Sequence, residues 1–133
     1  MRKTFLICVS LLALIGPAGA AIARPLYPLC GDEKLRSCVV DGNTFWYGGE
    51  FMRLKAINPP ATQVACSTST ADAARDRLMK LLNTGEIFVF RHGTDAEGHT
   101  LSTVLVEGKE VGETLIAEGL AQPTTASTGP FCS

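Results

Sequence analysis

Four things are missing from this 133-residue chain, and each absence removes a class of protein. It contains no C-x-x-C pair, so its five cysteines do not have the spacing of a structural zinc site. Its longest apolar stretch, residues 5–15, is too short to span a bilayer. It has no excess of basic residues, with 12 Lys and Arg against 13 Asp and Glu. A sequence-independent nucleic-acid binder relies on Lys and Arg to neutralise phosphate, so the domain as a whole is poorly suited to that role. It has no internal repeat, which removes solenoids and propellers.

The N-terminus reads as an export signal. Arg2 and Lys3 form a positive start, residues 5–15 an apolar stretch, and Ala18-Gly19-Ala20 a small-residue cleavage site. Cleavage is expected after Ala20, with Ala23 as the alternative; an uncleaved anchor is the rival reading. The remaining domain has 10 basic and 13 acidic residues, a net charge of −3. It keeps Cys30, Cys38, Cys66 and Cys132. An even count in a short exported chain reads as two disulfides, and four cysteines leave three pairings open. An exported, periplasmic or secreted protein with no membrane attachment after cleavage is therefore expected.

The domain organisation follows from turn chemistry and periodicity. Residues 21–37, with Pro25, Pro28 and Gly31, read as an irregular arm pinned by Cys30. Asp41-Gly42 and Gly48-Gly49 are hairpin signals, which places strands at 35–40, 45–47 and 50–57. Asn58-Pro59-Pro60 ends the third strand. Ser69 followed by Asp72 resembles a capping box, and Ala71, Ala74, Leu78, Leu81 and Leu82 recur at helical spacing. Gly85 is expected as the left-handed cap of that helix. Residues 86–91 are a near-continuous apolar strand, expected to be buried on both faces. A turn at 93–98, a strand at 100–106 and a helix at 111–118, stopped by Gly119, follow. The tail, 123–133, is tied down by Cys132. The pattern alone gives an α+β, mainly β domain over residues 38–122.

That stretch resembles the staphylococcal nuclease-like family. Val40-Asp41-Gly42-Asn43-Thr44 stands where the family has Val-Asp-Gly-Asp-Thr. Arg53-Leu54 follows, and then Ile57-Asn58-Pro59-Pro60-Ala61 in place of Ile-Asp-(any)-Pro-Glu. Asp95 to Leu101 matches Asp-(any)-Tyr-Gly-Arg-(any)-Leu in layout. Val104 to Gly112 matches the family's strand, turn and helix start, and Glu113 to Ala121 its final helix. The resemblance implies a five-stranded oligonucleotide/oligosaccharide-binding (OB) barrel with two helices. It also implies Ca²⁺-dependent cleavage of DNA and RNA, in which two aspartates hold the cation, a glutamate activates water and two arginines hold the phosphate.

The chain departs from the family at most of those positions. Asn43 and Asn58 replace the metal aspartates, Pro59 replaces a threonine and Ala61 replaces the glutamate. Arg53 is retained, and His99 stands in for the second arginine. Asp41 stays acidic but reads first as a turn former. Arg53 either holds phosphate or pairs with a local carboxylate. Glu50 and Glu97 read as solvated turn charges. His92, Asp95, Glu97 and His99 form a compact polar group that could ligate a metal. Trp46, Tyr47 and Lys55 are candidates for a ligand face, with one of the two aromatics expected in the core.

The expectation is a catalytically degenerate, exported nuclease homologue acting as a binding module. Its partner would be a protein, a glycan or a short nucleic acid, and no cofactor is expected, or Ca²⁺ if the family activity survives. A metal-dependent phosphodiesterase with altered ligands is the alternative. A purely structural interaction module is a third reading.

Overall fold

A computed structural model of the chain describes residues 26–55, 57–58 and 68–124. Residues 1–25, where the export signal is expected, and Pro59, Pro60, Ala61, Cys66 and Cys132 lie outside the described residues. The elements in order are β1 (Cys38–Val39), β2 (Thr44–Tyr47), β3 (Glu50–Leu54), β4 (Ile57–Asn58) and α1 (Thr68–Leu82). They continue as β5 (Ile87–Thr94), β6 (Thr100–Val106), β7 (Lys109–Glu110), α2 (Val111–Ala117) and β8 (Gln122–Pro123). The main sheet runs β1-β2-β3-β6-β5, with β7 added to β6, while β4 and β8 pair separately. Among the described strands only β3 and β6 pair in parallel; the isolated Leu29–Val39 bridge is parallel as well. The order suits an OB-type domain of the mainly β, α+β class, although among the described residues the sheet does not close into a barrel.

The two turns expected from sequence are present. Asp41 Oδ1 accepts hydrogen bonds from the amides of Asn43 (2.9 Å) and Thr44 (2.8 Å), which closes the β1–β2 turn. Gly48 and Gly49 both have positive φ (60° and 95°), as a two-residue hairpin of this hand requires. That hairpin sets the register in which Tyr47 faces Glu50 and Trp46 faces Phe51.

The first strand is shorter than expected. Residues 35–37 serve the tip of the neighbouring hairpin: the Arg36 carbonyl accepts from the Gly49 amide, and Ser37 Oγ from the Gly48 amide. The third strand is interrupted after Leu54. Lys55 donates to the Ser102 carbonyl, and Ile57–Asn58 leave the main sheet to pair with β8.

The arm at residues 26–37 is built into the fold. The Val39 amide donates to the Pro28 carbonyl and the Cys30 amide to the Val39 carbonyl, and the Cys30–Cys38 disulfide clamps this parallel contact. This bridge belongs to one of the three open pairings. Tyr27 is buried and meets the ring of Phe45 edge-on. Burial, and secondarily the nearby Tyr47 hydroxyl, push the Tyr27 hydroxyl above its ordinary pKa.

α1 buries Ala74, Leu78 and Leu82, one residue per turn on a single face. The helix begins at Thr68, so Ser69 lies inside it. The Asp72 carboxylate pairs with Arg75 at 3.0 Å within the same helix. Gly85 is not left-handed. The last carbonyls of α1 are met by side chains instead: Asn83 Nδ2 donates to Met79 O and Tyr27 O, and Thr84 Oγ1 donates to Lys80 O. Gly119, with φ of 72°, does end α2 as expected.

β5 corrects another expectation. Ile87 and Val89 pack against the core, but Phe88 and Phe90 are about half exposed (53% and 52%). β5 is the last strand of the sheet, and among the described residues the face that carries Phe88 and Phe90 stays half exposed. A continuous apolar run therefore does not signal two-sided burial at an edge.

The Cys30–Cys38 bridge closes a short loop, spanning a sequence separation of 8. Chain entropy for such a loop corresponds to about 2.5 kcal/mol. A Cys30→Ala/Cys38→Ala variant is expected to lose about that much in urea unfolding. An unchanged midpoint would show that the arm is held without the bridge.

Candidate functional site

The charged face is assembled by β3, β6 and the turn that leads into β6. Parallel pairing sets Met52 beside Thr100 and Arg53 beside Leu101. The turn at residues 95–99 is closed by backbone bonds from Asp95 N to His99 O (2.9 Å) and from Gly98 N to Asp95 O (3.1 Å). Asp95 Oδ1 accepts from the amides of Glu97 (3.0 Å) and His99 (2.8 Å). That leaves Oδ2 for side-chain partners. Arg53 Nη1 donates to it at 2.9 Å, and His99 Nδ1 lies at the same distance. Arg53 Nη2 reaches Glu97 Oε2 at 3.1 Å, and His99 Nδ1 is 3.3 Å from that oxygen.

Arg53 is thus held by two carboxylates of its own chain. Of the two readings open in sequence, pairing with local acids is the one realised here. Arg53 Nε and the cross-strand Thr44 Oγ1 are buried without a partner among the described residues. Glu97 is well exposed, as a solvated turn charge should be, and is ion-paired as well. Glu50, partly exposed, accepts hydrogen bonds from Arg91 (2.7 Å) and Thr100 Oγ1 (2.8 Å).

The polar group seen in sequence comes together in part. Asp95, Glu97 and His99 offer ligand atoms within 4.8 Å of one another. His92 is not among them; its Nε2 contacts Thr103 Oγ1 at 2.9 Å. Phe51 was not singled out from sequence, but its ring meets His99 edge-on at 4.4 Å and stacks on Trp46 at 4.8 Å. The Gly48-Gly49 hairpin register, readable in the sequence, is the signal that pairs Trp46 with Phe51.

The remaining candidates are spread out. Asn43 is buried, with Nδ2 3.4 Å from the Ile57 carbonyl. Asn58 lies in β4 opposite Gln122. Tyr47 packs partly against the core, with the Arg91 guanidinium 6.0 Å from its ring centre. Trp46 lines a groove with Leu35 and Arg36. Lys55 is exposed beyond the end of β3.

A sequence model of the staphylococcal nuclease homologues matches residues 51–130. The chain belongs to that family. The match includes Arg53, Asn58, Ala61 and His99, and begins beyond the Asp41–Thr44 turn. No curated protein matches the chain. As a staphylococcal nuclease homologue, it carries on this face the Arg53–Asp95–Glu97–His99 contacts described above.

These contacts have a pH signature. Hydrogen bonds from Arg91 and Thr100 lower the Glu50 pKa, and the hydrogen bond from Arg77 lowers that of Glu118. Burial raises the Asp95 carboxyl, but hydrogen bonds from the His99 amide and ring and the Glu97 amide outweigh it, and the net shift is downward. A carboxyl with a lowered folded pKa is protonated more readily in the unfolded chain. Its stabilisation is present above the ordinary carboxyl range and lost as pH falls through it. Glu110 is shifted the other way, by burial and by Glu113, and offsets part of this. Thermal stability is therefore expected to fall as pH drops below about 4. In Glu118→Gln, which removes the Arg77 bridge, the decline should be shallower. An equal slope in the variant would contradict this assignment.

Proposed function

We propose that this protein is an exported, catalytically silent nuclease homologue that serves as a binding module for a protein or glycan partner. The observation that carries the reading is the engagement of Arg53. In the family pattern this arginine faces phosphate; here both terminal nitrogens are taken by Asp95 and Glu97. A phosphate would have to displace two carboxylates whose charge opposes it. Arg91 is held by Glu50 in the same manner.

The residues at the family's Ca²⁺ positions do not fit a hard cation. Asn43 is uncharged and presents its amide nitrogen to Ile57 O. Asp41 Oδ1 is occupied by two backbone amides. Ca²⁺ takes six to eight oxygen ligands and gains affinity from their charge. With Ala61 in place of the glutamate, the position also lacks a proton acceptor. The acidic balance of the domain argues against nucleic acid as its partner.

Export is supported by the N-terminal segment and by the Cys30–Cys38 bridge, since disulfides persist mainly in oxidising compartments. No helix among the described residues is long and apolar enough to cross a membrane. The groove beside Trp46 is the proposed contact face. It joins apolar Leu35 and the Trp46 ring to the polar Arg36, a mixture suited to a protein or sugar surface.

The test is a nuclease assay on DNA and RNA in Ca²⁺. Cleavage is expected to stay at the level of the buffer blank, and Arg53→Ala to leave it there. Ca²⁺-dependent cleavage abolished by Arg53→Ala would overturn the reading. Trp46 is the only tryptophan, so its fluorescence reports on this face; oligothymidylate is expected to leave it unchanged.

A further inference from the structure

We infer that Asp95, Glu97 and His99 form a binding site for a divalent transition cation of the Zn²⁺ type. The proposal concerns a different set of residues from the family's Ca²⁺ positions, and it holds whether or not the protein cleaves nucleic acid.

Three features of the turn support it. The first is donor spacing. His99 Nδ1 lies 2.9 Å from Asp95 Oδ2 and 3.3 Å from Glu97 Oε2. Zn²⁺ binds imidazole nitrogen and carboxylate oxygen at about 2.0–2.2 Å, which puts neighbouring ligands in a tetrahedron about 3.4 Å apart. The three donors therefore need only small movements to share one ion.

The second feature is support behind the donors. Asp95 Oδ1 is fixed by the amides of Glu97 and His99, so Oδ2 is left for a ligand. Phe51 packs edge-on against the His99 ring and sets its plane. Outer contacts of this kind orient metal ligands and sharpen affinity. The third feature is partial shelter. The side chains of Asp95 and His99 are only 17% and 15% exposed, while the more exposed Glu97 lies at the surface as the entry side.

Arg53 is the internal competitor. Its Nη1 holds the same Asp95 oxygen that the ion would take. Binding would exchange the guanidinium for the metal and leave three protein ligands with an open position. Ca²⁺ is disfavoured there, because the site offers few oxygens and one imidazole nitrogen.

The experiment is titration calorimetry with Zn²⁺ alone, on the oxidised protein expressed with its own N-terminal segment and with any free thiol alkylated. One-to-one binding is expected. His99→Gln and Glu97→Gln should each weaken it by at least about tenfold. Arg53→Gln should tighten it, a direction that a merely structural role for this cluster would not produce. His92→Gln should bind like the wild type, and Ca²⁺ should give no heat. Glu97 is exposed, so its substitution tests the ligand set even if His99→Gln fails to fold. Zn²⁺ affinity unchanged in Glu97→Gln, or no binding by either the wild type or Arg53→Gln, would overturn the proposal.

Discussion

The parallel pairing of β3 with β6 decides where the charged groups of this face end up. It sets Arg53 beside Leu101, and so beside the turn that opens β6. That turn, Asp95 to His99, carries Asp95, Glu97 and His99 and is folded back by the two amides that Asp95 Oδ1 collects. Arg53 then meets two carboxylates at hydrogen-bond distance without any long-range rearrangement. A charged pair in partial shelter is stabilised by proximity and by the hydrogen bonds that satisfy both partners. Its presence changes the chemistry open to the arginine, because two adjacent carboxylates offset the positive charge that an incoming anion would meet.

The rest of the domain supports this placement. Phe45, Met52, Val104 and Leu115 fill the space between the sheet and the helices. Arg77 joins α1 to the end of α2 through two 2.7 Å bonds to Glu118. Asn83 ties the end of α1 to the backbone of Tyr27, and the Cys30–Cys38 bridge ties the same arm to β1. A small domain buries a modest share of its surface, so such cross-links contribute visibly to its stability.

Much of this was legible in the sequence. Gly48-Gly49 and Asp41-Gly42 gave both tight turns, since few residues other than Gly, Asn and Asp tolerate the required backbone angles. Ala74, Leu78 and Leu82 gave the buried face of α1. The errors have physical causes. The apolar run at 87–90 did not show that β5 would be an edge, because strand order is a long-range property. Gly85 had the right residue type for a left-handed cap, but Asn83 and Thr84 met the helix carbonyls first. Of the site, the turn residues were visible as a local cluster. The pairing of Arg53 with Asp95 was not, because it joins residues 42 apart in sequence. Whether that arginine faced phosphate or an acid could only be decided by the register of β3 on β6.

Calorimetric titration of a short thymidine bisphosphate in the presence of Ca²⁺ tests the central claim most directly. With Arg53 engaged by Asp95 and Glu97, and with Asn43 and Asn58 at the family's cation positions, no binding at millimolar concentration is predicted. Joint binding of Ca²⁺ and the nucleotide would show that the arginine is free to take phosphate, and would contradict the account.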